Sequence, residues 1–274
     1  MKNQNPLPEL AVHLSDRVLL RIAGEDAFDF IQNIITNDLK KSTPDNLVYA
    51  CLLTPQGGYL HDFFIAREES AFVLDCEAER IDDLMKRLLM FKLRAKVTIE
   101  KMEGINIYAV GAEEGLPDPR LPKLGGRLYT SETIAKAKPV AVYHDFCIDF
   151  GVPCSGLSIV PQKDTMADVN LDRLHAVSWD KGCFIGQEVA ARMYNRNIVK
   201  RRLYTVQGHG LPEGGKLYQN AKEVGEIRQI SSSGDKGLAQ IKVTALVNET
   251  IPVLTAKEAG SERLLVKTPD YIQP

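Results

Sequence analysis

Lys181-Gly182-Cys183-Phe184-Ile185-Gly186-Gln187-Glu188, continued by Val189-Ala190-Ala191-Arg192, is the stretch on which the reading of this 274-residue chain turns. It sets a cysteine between two glycines, puts a lysine two residues ahead of it, and runs straight into residues of helical character. Glycine takes positive φ without strain and lets the backbone approach a neighbour closely, so Gly182 and Gly186 mark a tight loop. A thiol beside a lysine and ahead of a helix N-terminus is expected to have a lowered pKa and to be partly thiolate near neutral pH. Cys183 therefore has two readings. One is a reactive thiol with Lys181 as its activating neighbour. The other is a small buried cysteine in a glycine-bounded turn, the commoner fate of a free cysteine.

Composition bounds the rest. With 44% hydrophobic residues the chain has the material for a sizeable core in one or two domains. The net charge of −2 gives no overall field that recruits nucleic acid. Residues 196–274 carry 12 basic and 8 acidic side chains, a mild local excess of +4 that fits at most an anionic partner there. Five cysteines, at 51, 76, 147, 154 and 183, form no C-x-x-C and no metal-ligand spacing. The odd count points to a reducing compartment, and no metal site is expected. The first nine residues have neither a signal peptide's apolar core nor a transit peptide's arginine-rich character. No apolar run approaches the ~20 residues that span a bilayer. A cytoplasmic protein is expected.

Outward from the octapeptide, periodicity gives the elements. Val18 to Ile22 reads as a strand ended by Gly24, and Ala27, Phe28, Phe30, Ile31, Ile34 and Ile35 follow helical spacing. Leu47 to Thr54 and Tyr59 to Ala66 flank Pro55-Gln56-Gly57-Gly58, a hairpin signal. Phe72 to Leu74 is a short strand, Ile81 to Leu89 an amphipathic helix, and Lys96 to Glu100 and Ile105 to Val110 return to strand. A polar, proline-bearing loop from about Glu113 to Lys123 separates this part from the next. Pro139 to Phe150 reads as a helix stopped by Gly151-Val152-Pro153. Leu171 to Val177 and Gln187 to Tyr194 read as short helices. From Lys200 onward only short β runs remain, with turns at Gly214-Gly215 and Ser233-Gly234-Asp235, as in a small closed barrel. Helices alternating with hairpins predict α+β layers with antiparallel sheets.

Further blocks join the octapeptide in one resemblance. These are Phe30 to Leu39 with its Thr36-Asn37-Asp38 exit, Leu53-Thr54-Pro55-Gln56-Gly57-Gly58, Asn170-Leu171-Asp172, Val177-Ser178-Trp179-Asp180 and the hairpin Val224 to Ala239. Together they resemble the YgfZ-type folate-binding proteins, relatives of the glycine-cleavage T-protein, an aminomethyltransferase, over about residues 17 to 245. The resemblance implies a T-protein-like α+β fold. Two intertwined ferredoxin-like units would fill residues 1–199 and an antiparallel β-barrel residues 200–274, around a central opening where folate binds. It also implies a tetrahydrofolate ligand and a role in assembly or repair of iron–sulfur cluster enzymes, including tRNA-modifying ones. The partners would be reduced folate and the iron–sulfur assembly machinery or its clients, with no membrane.

Site residues follow by position. Asp149 stands where T-protein relatives carry the glutamate that receives the pterin, and a carboxylate can accept the adjacent N–H groups of a pterin as a bidentate pair. Cys147 stands at that family's arginine. Where T-protein has two consecutive aspartates at the hairpin's end, this chain has His61-Asp62. Histidine shuttles protons near neutral pH but supplies no fixed negative charge for an iminium cation, which counts against aminomethyl transfer. His61 otherwise reads as a strand residue alternating with Leu60. Gln187, Glu188 and Arg192 follow Cys183 and, with Asp149 and Asp62, make up the folate-binding set that the resemblance implies. Glu188 and Arg192, at i and i+4, form either a surface ion pair or, for Arg192, a contact to folate's glutamate tail. Arg192, Arg196, Lys200, Arg201 and Arg202 make a basic run, usually a solvated face. Aromatic interleaving is limited to Tyr194 and Tyr204, so direct RNA binding is not indicated. Two alternatives stay open: a folate-dependent C1 transferase, and a non-enzymatic interaction module.

Overall fold

The structure, a computed structural model, describes residues 11–196, 198–246, 253–255 and 263–272. The chain groups into two compact units, Met1–Tyr143 with Leu174–Gln187, and His144–Arg173 with Glu188–Pro274. This division is interleaved, unlike the boundary at 199/200 that the change of character at Lys200 suggests. Hydrogen bonds give the reason. Asn170 Nδ2 donates to the Leu203 carbonyl at 2.8 Å, and Arg202 grips Asp172 with two bonds of 2.5 and 2.9 Å. These bonds tie residues 144–173 to the first barrel strand.

The first unit contains β1 (Val12–His13), β2 (Arg17–Ala23), α1 (Ala27–Ile34), β3 (Val48–Leu53), β4 (Tyr59–Arg67), β5 (Ala71–Glu77) and α2 (Ile81–Lys92). It continues with β6 (Thr98–Lys101), β7 (Asn106–Val110), β8 (Leu116–Pro117) and β9 (Gly126–Thr130). Two antiparallel sheets result, ordered β3-β4-β5-β2-β6 and β1-β7-β9-β8. Side chains alternate across a strand. Leu20 and Ile22, Val48, Ala50 and Leu52, and Phe72 and Leu74 therefore share one face of the larger sheet. Ala27, Phe30, Ile31 and Ile34 of α1 and Ile81, Leu84 and Leu88 of α2 cover that face and complete its core. The i, i+3, i+4, i+7 spacing on α1 is what gives the helix a single apolar stripe.

The opposite face is also buried, which is why β3 is inaccessible at every position. It is built from polar and aromatic groups. Asp75, fully buried, accepts from Arg17 Nε at 2.7 Å, from Arg127 at 2.5 Å and from the Tyr129 hydroxyl at 3.2 Å. The Arg127 guanidinium lies 3.6 Å from the centroid of the Phe64 ring. The segment expected to be a polar separating loop carries β8 and buries Asp118 and Arg120, which bond to each other at 2.8 and 3.0 Å. Arg120 also donates to Tyr143 at 2.6 Å. Mutual neutralisation lets these charges leave water.

α3 (Val140–Asp149) ends in the second unit, which contains α4 (Gln187–Asn195), β10 (Arg201–Gln207), β11 (Lys216–Gln219), β12 (Lys222–Ile230), β13 (Lys236–Lys242), β14 (Val253–Thr255) and β15 (Arg263–Lys267). The strands form a closed barrel in the order β10-β13-β12-β11-β14-β15, sealed where Thr205 pairs Lys267 and Gln207 pairs Leu265. Closure removes the sheet edges, and Val206, Leu217, Ile227, Ala239, Ile241 and Leu264 fill the interior. The short helix expected at Leu171–Val177 is a series of turns instead. Asn170 and His175 hold left-handed φ of 64° and 59°, which a helix cannot propagate through.

Candidate functional site

In the first unit, three stretches distant in sequence meet at the end of α1. The Lys181 ammonium, only 8% exposed as a residue, donates to the carbonyls of Gln32 at 2.6 Å, Ile35 at 2.7 Å and Asn37 at 3.0 Å. All three of its donors are thereby accounted for. A cation at a helix C-terminus is the favourable end for the helix dipole, and Lys181 fastens the cysteine loop there. Burial pulls its pKa down to about 8, opposed by the nearby Asp38 carboxylate.

The Thr36-Asn37 exit completes the junction. Thr36 Oγ1 donates to the Ala176 carbonyl at 2.6 Å and accepts from Cys51 N at 2.8 Å, while Ser178 N donates to the Thr36 carbonyl at 3.1 Å. Asn37 Nδ2 reaches the carbonyls of Tyr49 at 2.8 Å and His175 at 2.7 Å. Gly186 then sits against the β3–β4 hairpin at φ +81°. A Cβ there would lie 2.5 Å from the Thr54 carbonyl oxygen, so no larger residue fits. Phe184 is buried, and Cys183 between these anchors is exposed; Cys51, Cys76, Cys147 and Cys154 are all buried. The structure thus favours the exposed reading of Cys183 over the buried turn.

Gln187 turns back to the same loop, its side-chain oxygen accepting from Phe184 N at 3.3 Å. Glu188 and Arg192 are both exposed, and neither forms an ion pair among the described residues. The basic run is shorter than its sequence suggests. Arg202 is 7% exposed and committed to Asp172, whereas Arg192, Arg196, Lys200 and Arg201 are exposed.

The β3–β4 ladder shifts register between Leu52 and Leu53, so Leu60 is an extra residue on β4. Such a bulge re-aims side chains. Asp62 ends up buried at 4% exposure, accepting from Tyr49 Oη at 2.8 Å and from Tyr59 Oη. Burial and the Asp62 carboxyl push both phenols well above their usual range. His61 turns to Asp83 instead, 2.9 Å away, and Arg80 closes the bulge by donating to the Leu60 carbonyl at 2.6 Å. Burial, helped by the Arg80 charge and opposed by Asp83, lowers the His61 pKa to about 4. The imidazole is therefore neutral at physiological pH. The Asp83 carboxyl is held down to about 2, chiefly by its bond from Arg87.

In the second unit, Asp149 sits at the end of α3 on a cleft of about 300 Å³. Ile148, Val206, Leu265 and Val266 give the cleft apolar walls, and Asp149, Lys236 and Lys267 give it charge. Asp149 Oδ1 accepts from Lys236 Nζ at 2.6 Å. Cys147, two residues nearer the start of α3, is fully buried.

Residues 13–109 match the family described as GCVT N-terminal domain. The mitochondrial iron–sulfur cluster assembly factor IBA57 of Mus musculus is 27% identical, over 87% of this chain and 77% of its own length. The Homo sapiens IBA57 is 27% identical over 94% and 84% respectively. The glycine cleavage system aminomethyltransferase T from Bartonella henselae has the same fold, with a TM-score of 0.74 at 14% identity over 96% of this chain and 86% of that one. The chain is similar in sequence to the IBA57 proteins and in fold to a T-protein. Its fold is accordingly the α+β arrangement with a C-terminal barrel that the motif blocks imply.

Within this T-protein-like fold, sequence reasoning missed Tyr49, Tyr59, Arg17, Asp75 and Arg127. Tyr59 and Asp62, three apart on a strand, signal a common face only once the bulge is known. Arg127 lies on β9, which no alternation of polar and apolar residues announced. Among the described residues no helix is long and apolar enough to cross a membrane, and no group of three or more His, Cys, Asp or Glu is placed to hold a metal.

Replacing Lys181 with Met leaves three carbonyls short of a donor and is expected to lower unfolding free energy by about 2–4 kcal/mol in urea titrations; an unchanged midpoint would remove Lys181 as the anchor. His61 gives a pH signature. Its folded pKa lies below the unfolded value, so the unfolded chain takes up the proton first as pH falls. Stability from this group is full above pH 6.5 and lost as pH falls towards 4, by about 1–3 kcal/mol. Urea midpoints of the native chain minus those of His61→Gln should drop across that window, and a constant difference would contradict the assignment.

Proposed function

We propose that this chain supports assembly or repair of iron–sulfur cluster enzymes, tRNA-modifying ones among them, and binds a reduced folate, tetrahydrofolate, while doing so. The observation that carries the reading is Cys183, the exposed thiol among five cysteines, held on a loop locked by Lys181, Phe184 and Gly186. The iron–sulfur description of the IBA57 relatives supports the same role. Stable clusters use several thiolates, so a single thiol acts on a cluster only with sulfur from a partner protein or a bound thiol. Lys181 serves Cys183 by fixing the loop's position.

Folate binding is the finer part of the proposal. Asp149 is the carboxylate for the paired N–H groups of a pterin, and the apolar walls of its cleft suit a flat ring. A volume near 300 Å³ is at the lower end for small-molecule sites. Arg192, with Gln187 and Glu188 beside it, is assigned to the glutamate tail. Asp62 enters as support for the hairpin, since two phenols occupy it. A C1 transferase finds less support, because His61 is turned to Asp83 and the Asp62 carboxylate at the hairpin is engaged by tyrosine hydroxyls. A reducing compartment belongs to the same proposal. The cysteine count fits the cytoplasm, and the IBA57 relatives are described as mitochondrial.

In cells lacking the native copy, Cys183→Ala should fail to restore a cluster-dependent enzyme while melting at the native temperature. Full restoration would end the role given to this thiol. Calorimetric titration of tetrahydrofolate should show saturable binding by the native chain and affinity about 10- to 100-fold weaker for Asp149→Ala, the effect of losing a charge-assisted pair of bonds. Equal affinities would remove Asp149 from the site.

A further inference from the structure

Three of the ion pairs in the second unit differ sharply in burial. Arg228–Asp164 is buried, with side chains 5% and 3% exposed, and Arg202–Asp172 is buried at 8% each. Lys236–Asp149 is open to solvent, at 44% and 45%. The first two join elements of the unit and have no access to ligand. The third lies on the lining of the 300 Å³ cleft.

The bond is also single. Lys236 Nζ contacts Asp149 Oδ1, and Asp149 Oδ2 has no partner among the described residues. A carboxylate accepts through both oxygens, so Lys236 satisfies half of what Asp149 offers. The contact is not what holds the hairpin to the helix. Asp145, one turn earlier on α3, accepts from Ser232 N at 2.8 Å, and the turn closes on itself through Ser231, Ser233 and Asp235. Lys236 also has Asp235 and Asp145 close enough to raise its pKa along with Asp149, so leaving Asp149 does not strand its charge.

We propose that Lys236 is a displaceable counter-ion on Asp149 that sets the affinity and selectivity of the cleft. It rests on the folate reading for its ligand. A molecule with a single N–H or amine at this position only replaces one monodentate bond with another. A molecule presenting two adjacent N–H donors gains the free Oδ2 as well, and so outcompetes the lysine. The favoured class is a flat heterocycle with a ring N–H beside an exocyclic amine, an edge that pterins and guanine share.

The test titrates tetrahydrofolate, and separately guanosine, into the native chain, Lys236→Met and Lys236→Arg, with thermal melts of each. Exposed pairs are weak, so Lys236→Met should bind about two- to fivefold more tightly than the native chain. Lys236→Arg, whose guanidinium can occupy both carboxylate oxygens, should bind more weakly than the native chain, and all three should melt together. Equal or weaker binding by Lys236→Met at an unchanged melting point would overturn the proposal and make Lys236 a bystander or a direct ligand contact. Binding of guanosine alone, tightened by Lys236→Met, would keep Lys236 in this role and discard folate. Binding of neither compound by any of the three would overturn both.

Discussion

A buried ammonium at the end of a helix organises this protein's first unit. The last carbonyls of α1 have no intrahelical donors, and Lys181, about 146 residues further along the chain, donates to Gln32 in the last turn and to Ile35 and Asn37 just beyond it. The lysine has to be buried to do this, and burial disfavours its charge. The carbonyls repay that by satisfying every N–H it carries. Once Lys181 is fixed, Gly182 and Cys183 can be exposed without the loop being loose, because Phe184 is buried on one side and Gly186 lies against Thr54 on the other. The thiol is thereby presented to solvent from a loop fastened on both sides.

The same unit solves a second problem, that of a sheet covered on both faces. One face is an ordinary apolar core under two helices. The other buries Asp75, Arg17, Arg127, Asp118 and Arg120 with tyrosines and Phe64 between them. Buried ion pairs add little stability over apolar packing, but removing one partner is costly because it strands the other. The bulge at Leu60 belongs to this layer: without the extra residue, Tyr59 and Asp62 would not meet, and the position that carries a carboxylate in the T-protein motif is here His61, turned away and neutral.

The barrel unit separates structural charge from available charge by burial. Arg202 and Arg228 are locked inside ion pairs, while Asp149, Lys236 and Lys267 line a cleft. Charges of the same type in the sequence thus serve different ends according to depth. Arg202, which looks like the last member of a basic surface run, is in fact the residue that ties β10 to Asp172.

Local patterns in the sequence determined the helices at 27–34, 81–92, 140–149 and 187–195, the hairpin at Pro55-Gln56-Gly57-Gly58 and the β-rich C-terminal region, because periodicity and turn chemistry act between near neighbours. The motif blocks determined the α+β plan and pointed to Cys183 and Asp149. The failures share one cause. The turns at 171–175 depend on left-handed Asn170 and His175, the burial of Asp118 and Arg120 depends on partners, and the interleaved units depend on bonds from Asn170 and Asp172 to the barrel. Lys181's choice of three carbonyls, and Lys236's hold on Asp149, likewise join residues about 87 to 149 positions apart. Which charges find each other at such separations is set by the folded path of the backbone, and only the tertiary structure decides it.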